Sequence, residues 1–353
     1  MRENFLQLVR LGVGAANKFL SSQIDWAAIH VLAEQQGIAT IALDGIERLS
    51  LDQRPAKEFL LQWIGEVMQM ESQYAVQQKV AAEMALLFHH NKIRTYVLKG
   101  IVVAECYPNP IHRNSVDIDC FLLPDCSDFD AWSLGNNLIR KKGFDVETDF
   151  YKNSTFILSG LMVENHQYLV PFRGNKKLKN LERFLQDMMI DDKGEDRING
   201  TYLYRPPVMV TALFLIEHAF SHFLHEGLTW RMVLDWMMFS KKHKLDIDWY
   251  ALDARIDEFG FRRFFDSYLR LGKFLIGEIA EGELNIVDKK MLEDIWAPLD
   301  VHETVRGVKG KLALAGNTWR ARWKYQYFTD MNWQKALWIQ IKGFMFEKSP
   351  TLN

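Results

Sequence analysis

Two aspartates, Asp117 and Asp119, flank a single apolar residue in the run Val116-Asp-Ile-Asp-Cys120. In an extended strand, side chains at i and i+2 leave the same face. Both carboxylates therefore project to one side while Ile118 turns to the core. Side by side, two ionised carboxylates repel, and the pair calls for a cation. Hard oxygen donors set close together suit Mg2+, which completes its shell with water and substrate phosphate oxygens. A third carboxylate, Glu164, stands in a later apolar run, Leu161-Met-Val-Glu-Asn-His166, and alternation places His166 on the same face. Three carboxylates from two strands, beside a glycine turn, are what a two-metal phosphoryl or nucleotidyl transfer site requires.

The glycine turn is Lys99-Gly100, at the end of the apolar run Thr95–Leu98. Gly100 lets backbone approach a ligand, the amides opening the next helix favour an anion, and Lys99 adds a charge. Arg113 precedes Asp117 by four residues and carries a fork suited to phosphate oxygens. Farther on, His218, His222 and His225 recur at helical spacing on one face. That spacing is compatible with buried, hydrogen-bonded histidines, with a zinc site, or with a polar wall of a ligand cleft. Arg173, Lys176, Lys177 and Lys179 form a basic stretch that reads as a solvated loop or as a contact for phosphate.

These residues need strands to hold them, and the middle of the chain supplies the pattern. Between about 93 and 205, short apolar runs (Thr95–Leu98, Ile118–Leu123, Thr155–Leu158, Leu161–Val163) are separated by turn residues. Helical stretches fall between Gly100 and Cys106 and between Asp128 and Lys142. Asn153–Leu158 and Leu161–Tyr168, joined by Ser159-Gly160, read as a hairpin. Residues 1–92 are helical, with one long helix between Pro55 and Asn91 and Gly65 as the place for a bend. Residues 206–353 return to helical periodicity and are rich in tryptophan. The expected fold class is α+β: a small mixed-sheet core between helical N-terminal and C-terminal regions.

Composition narrows the rest. With 353 residues, 48% of them hydrophobic, the chain can bury more than one core. A net charge of -2 argues against a partner gripped through an overall basic field, so nucleic acid is not expected. The tract 310–353 is the local exception, with seven lysines and arginines against two carboxylates among tryptophans and tyrosines. It suits base stacking or ordinary helix packing. Three cysteines without CxxC spacing fit a reducing compartment. No signal peptide or stretch of about 18 apolar residues is evident, so a cytoplasmic protein without membrane contact is expected.

The run Lys99-Gly100, a short helix, Tyr107-Pro108, Arg113 and Asp117-Ile-Asp119, followed by Glu164-Asn-His166, resembles the nucleotidyltransferase superfamily. Within it, the similarity is to an uncharacterised nucleotidyltransferase-like subfamily in which Lys-Gly replaces the usual Gly-Ser. The resemblance covers about residues 85 to 240, including the helical segment with His218, His222 and Arg231-Met-Val-Leu-Asp235-Trp236. It implies that Asp117, Asp119 and Glu164 are catalytic and metal-binding, holding two Mg2+ ions with a nucleoside triphosphate. Glu164 would serve the metal that activates the acceptor hydroxyl. Lys99, Gly100, Arg113, His166 and His222 would face phosphate or substrate. The implied reaction is attack of a hydroxyl, on a small molecule or a protein, at the α-phosphate. Two other readings are a non-catalytic nucleotide-binding or regulatory protein of the same fold, and an RNA-modifying transferase that uses the basic C-terminal tract.

Overall fold

The computed structural model describes residues 1–15, 24–126, 129–148, 151–297 and 319–346. Asp128, Lys311, Glu347 and Lys348 lie outside the described residues. The architecture is α+β, with a five-stranded mixed sheet among many helices. The chain divides into two compact units. One comprises Met1–Ile64, Leu215–Lys244 and Asp248–Lys348, and the other is built mainly of Gly65–Phe214. One border falls within the long helix expected from the sequence, Lys57–His90, between Ile64 and Gly65.

The second unit holds the sheet. Its strands are β1 (Ile93–Val97), β2 (Asp117–Pro124), β3 (Asn153–Leu158), β4 (Leu161–His166) and β5 (Leu203–Tyr204), in the order β3-β4-β2-β1-β5. β1 and β2 are antiparallel, as are β3 and β4, whereas β2–β4 and β1–β5 are parallel. The hairpin turn carries positive φ at both Ser159 (50°) and Gly160 (79°), the combination whose twist suits a two-residue connection. One face of the sheet (Ile118, Cys120, Leu122, Val163, Phe156) packs with Phe88, Met84 and Ile139 into a buried core. Gly135 lets the helix Ala131–Lys141 lie close against β2, since a Cβ there would meet Leu122 Cδ1 at 2.3 Å.

The first unit is helical. Helices Arg2–Gly12 and Ala39–Glu47 cross at two glycines, where a Cβ would meet backbone oxygen at 2.1 Å in each case: Gly12 against Ile41 and Gly45 against Leu8. Buried Arg10 donates to the carbonyls of Leu275 (2.9 Å) and Phe274 (2.7 Å), satisfying the end of helix Arg262–Leu275. Helix Val208–His225 is long and apolar enough to meet the composition of a membrane span, contrary to the expectation that no such stretch occurs. Thr211, Glu217 and His218 interrupt its apolar run. With 61% of it buried inside the protein, it packs as a core helix.

Candidate active site

Alternation along β2 turns Ile118 and Cys120 into the core and Asp117 and Asp119 to the opposite face. The parallel pairing of β2 with β4 then sets Glu164 directly beside Asp119, and Phe121 beside His166. His166 reaches back along this face, its Nε2 lying 3.0 Å from Asp119 Oδ1 and 3.4 Å from Glu164 Oε2. Its other nitrogen, Nδ1, faces the Tyr168 carbonyl at 3.3 Å. The side chains of Asp119 and His166 are each 1% exposed, whereas Glu164 keeps 27% exposure.

Lys99 enters from the end of β1. Its Nζ lies 3.1 Å from Asp119 Oδ2 and 3.5 Å from Asp117 Oδ2. The turn behind it requires glycine: Gly100 has φ 59° and ψ -106°, and a Cβ would stand 3.1 Å from Ser115 Oγ. The Leu98 amide donates to the Asp119 carbonyl (3.1 Å), locking the turn to β2. The helix after Gly100, Ile101–Ala104, spans four residues. Arg113 is buried on the connection into β2, and its charge bears on Asp117. The Gln77 amide and the Ser115 hydroxyl both donate to the Asp117 carbonyl, at 2.6 and 3.2 Å.

The electrostatics separate the two aspartates. Burial pushes Asp119 up, but the Lys99 charge and the His166 hydrogen bond outweigh it and hold the carboxyl below its ordinary range. Asp117 is raised by burial and by the charge of Asp119, against the pull of Lys99. Burial would lower Lys99, but Asp119, Asp117 and Glu164 raise it above the usual lysine value. Three carboxylates converge on this face, with Lys99 in direct contact and the charges of Arg113 and Lys152 bearing on Asp117 and Asp119. The buried Asp119 Oδ2 is met by the Lys99 ammonium at 3.1 Å. A buried carboxylate beside two further carboxylates fits a divalent cation, and oxygen donors fit Mg2+.

Lys99, Gly100, Arg113, Asp117, Asp119, Glu164 and His166 thus all belong to the second unit. His222 belongs to the first, where its Nδ1 pairs with Glu226 at 2.8 Å and its ring meets that of His218 edge-on. In the basic stretch, Arg173 lies over the Tyr151 ring, 4.6 Å from its centroid, and Lys176 and Lys177 are exposed. Two contributors carried no sequence signal. The Lys152 charge bears on both Asp119 and Glu182. Glu182, fully buried in helix Lys176–Asp191, accepts from the backbone amides of Leu169 (3.0 Å) and Val170 (2.7 Å). It thereby fixes the segment that follows His166. A lone lysine between strands and a glutamate on an amphipathic helix look like surface residues until the fold brings them inward.

A family model described as an uncharacterised nucleotidyltransferase matches residues 22–277. No curated protein and no solved structure matches the chain.

Proposed function

Since the chain belongs to the uncharacterised nucleotidyltransferase family, we propose that it moves a nucleoside monophosphate from a nucleoside triphosphate to an acceptor hydroxyl in a Mg2+-dependent reaction. The observation that carries this reading is the register of Asp119 opposite Glu164 on parallel strands, with Asp117 two residues along the same face. In it, Asp117, Asp119 and Glu164 hold the metal. Mg2+ bound there would supply neutralisation of the phosphate charge as pyrophosphate departs. Lys99 and Arg113 hold the phosphate oxygens, Lys99 as a compact charge and Arg113 as a planar fork. Gly100 keeps side-chain bulk away from the phosphates. Glu164, the most exposed of the three carboxylates, faces the acceptor and takes the proton from its hydroxyl. His166 orients Asp119. The acceptor is a small molecule such as a sugar or amino alcohol, or a protein hydroxyl.

The test is calorimetric titration of each nucleoside triphosphate with and without Mg2+, on the native chain and on Asp119→Asn. The amide keeps the size of the carboxylate but removes its charge. The expected result is Mg2+-dependent binding in the native chain that falls at least about tenfold in the variant. Asp117→Asn, at a more exposed position, serves as the second variant. Unchanged affinity in both would refute the metal-binding role of this strand.

A further inference from the structure

The imidazole of His166 distinguishes this cluster from a group of carboxylates. Its Nδ1 lies 3.3 Å from the Tyr168 carbonyl oxygen, which can only accept, so Nδ1 carries a proton and donates it. Nε2 faces Asp119 Oδ1 at 3.0 Å and Glu164 Oε2 at 3.4 Å, and without a metal it shares a proton with Asp119 that a bound cation would displace. One ligand atom each from Asp119, Glu164 and His166 fall within 4.8 Å of one another. Metal bonds of about 2.1 Å meeting at about 90–110° bring neighbouring ligand atoms to about 3.0–3.4 Å, the spacing of His166 Nε2 to Asp119 and to Glu164. A ring N–H bonded to a backbone carbonyl is the support that fixes tautomer and ring plane in metal-binding histidines. The site is also shielded: the His166 side chain is 1% exposed and Phe214 packs edge-on to it at 6.3 Å between centroids. Finally, the other oxygen of Asp119, Oδ2, is buried against the Lys99 ammonium at 3.1 Å, which keeps the carboxylate ionised.

We infer that Asp119, Glu164 and His166 form a resident site for a borderline divalent cation of the Mn2+, Co2+ or Zn2+ class, bound without nucleotide. An imidazole nitrogen among the ligands favours these metals over Mg2+, which prefers an all-oxygen shell. Mg2+ that arrives with a triphosphate takes the Asp117 side of Asp119, so the two positions differ in chemistry and in occupancy. The inference deepens the proposed function and rests on its placing of metal along the Asp119–Glu164 edge.

The experiment uses the full chain, stripped with chelator and titrated with Co2+, Mn2+ or Mg2+ alone. Calorimetry is expected to give one Co2+ per chain, bound at least about tenfold more tightly than Mg2+. The spin-echo spectrum of bound Mn2+ is expected to show coupling to one imidazole nitrogen. His166→Gln is expected to lower Co2+ affinity by at least about tenfold while changing Mg2+ affinity little. Glu164→Gln, at a partly exposed position, is expected to weaken Co2+ as well. Equal affinity for Co2+ and Mg2+, absence of nitrogen coupling in the native chain, or undiminished Co2+ binding in both variants would overturn the site. No nucleotide enters these measurements. A chain that shows the Co2+ preference but no nucleotidyl transfer supports the site while overturning the reaction.

Discussion

Lys99 is the cation against which the buried carboxylates are balanced, 3.1 Å from Asp119 and 3.5 Å from Asp117. Removing one partner of a buried ion pair leaves an uncompensated charge, at a cost of about 3–5 kcal/mol. Lys99→Met is therefore expected to lower the melting temperature in chelator, and millimolar divalent cation is expected to recover more of that loss than it adds to the native chain. A variant that melts like the native chain in chelator would show that Lys99 carries no such charge balance. Lys99→Ala and Arg113→Ala should also weaken triphosphate binding more than nucleoside binding, as titration of the two ligands would reveal. The aspartates differ in sign with pH. Asp119, depressed, contributes stability above the ordinary carboxylate range that is lost as pH falls through its lowered value. Asp117, raised, takes a proton first on acidification. The residue types were legible in the sequence because Asp117-x-Asp119 and Glu164-x-His166 lie on alternating runs. The balance among them was not, because Lys99 and Lys152 act across the fold.

At the scale of elements, β1 to β4, the hairpin and the long helix follow from local periodicity, whereas the two-residue β5 is too short to show a pattern. Neither the order β3-β4-β2-β1-β5 nor the parallel pairing that sets Glu164 beside Asp119 follows from local pattern. Both depend on which edges meet, and that is decided by packing between segments far apart in sequence. The crossing at Gly12 and Gly45 was hidden for the same reason, since each glycine serves a partner helix. The loop after β4 illustrates how one element depends on another. Glu182 clamps it through two backbone amides, and burial, opposed by those amide bonds and by Gln186, pushes its carboxyl up to about 7. With a raised folded value, the folded state binds the proton that the unfolded chain releases, so stability falls as pH rises from about 4.5 to about 7. The span corresponds to about 3 kcal/mol. Relative to Glu182→Gln, which does not titrate, the native chain should lose stability across this window and hold a constant difference above it, as read from urea unfolding at several pH values. A parallel pH dependence in both proteins would remove Glu182 from the account. At the other end of β1, Gly100→Ala should cost about 1–3 kcal/mol, because φ 59° with ψ -106° strains any L side chain. A melting temperature equal to that of the native chain would show that the turn relaxes freely.

At the scale of the molecule, the candidate site is carried by one unit alone. Asp117, Asp119, Glu164, His166, Lys99 and Arg113 all lie within Gly65–Phe214. The first unit has its own core around Trp230, Trp236, Phe264 and Tyr268. A ligand stabilises the states that contain its intact site, by an amount set by its concentration over its dissociation constant, and leaves openings elsewhere unaffected. Local opening in a protein with two cores need not involve both at once. Hydrogen exchange with and without divalent cation therefore separates the two units. Cation is expected to slow exchange at the amides of β2 and β4 and at the Leu98 amide, which donates to Asp119. At a hundredfold excess over the dissociation constant, the slowing through openings that abolish the site is about a hundredfold, or about 2.7 kcal/mol. Helix Arg262–Leu275, in the first unit, should exchange at an unchanged rate if its amides open without disturbing the site. Equal slowing there would mean that the units open only together, and the cation would then stabilise the whole chain as one cooperative body. Slowing confined to the first unit would place the cation away from Asp119 altogether.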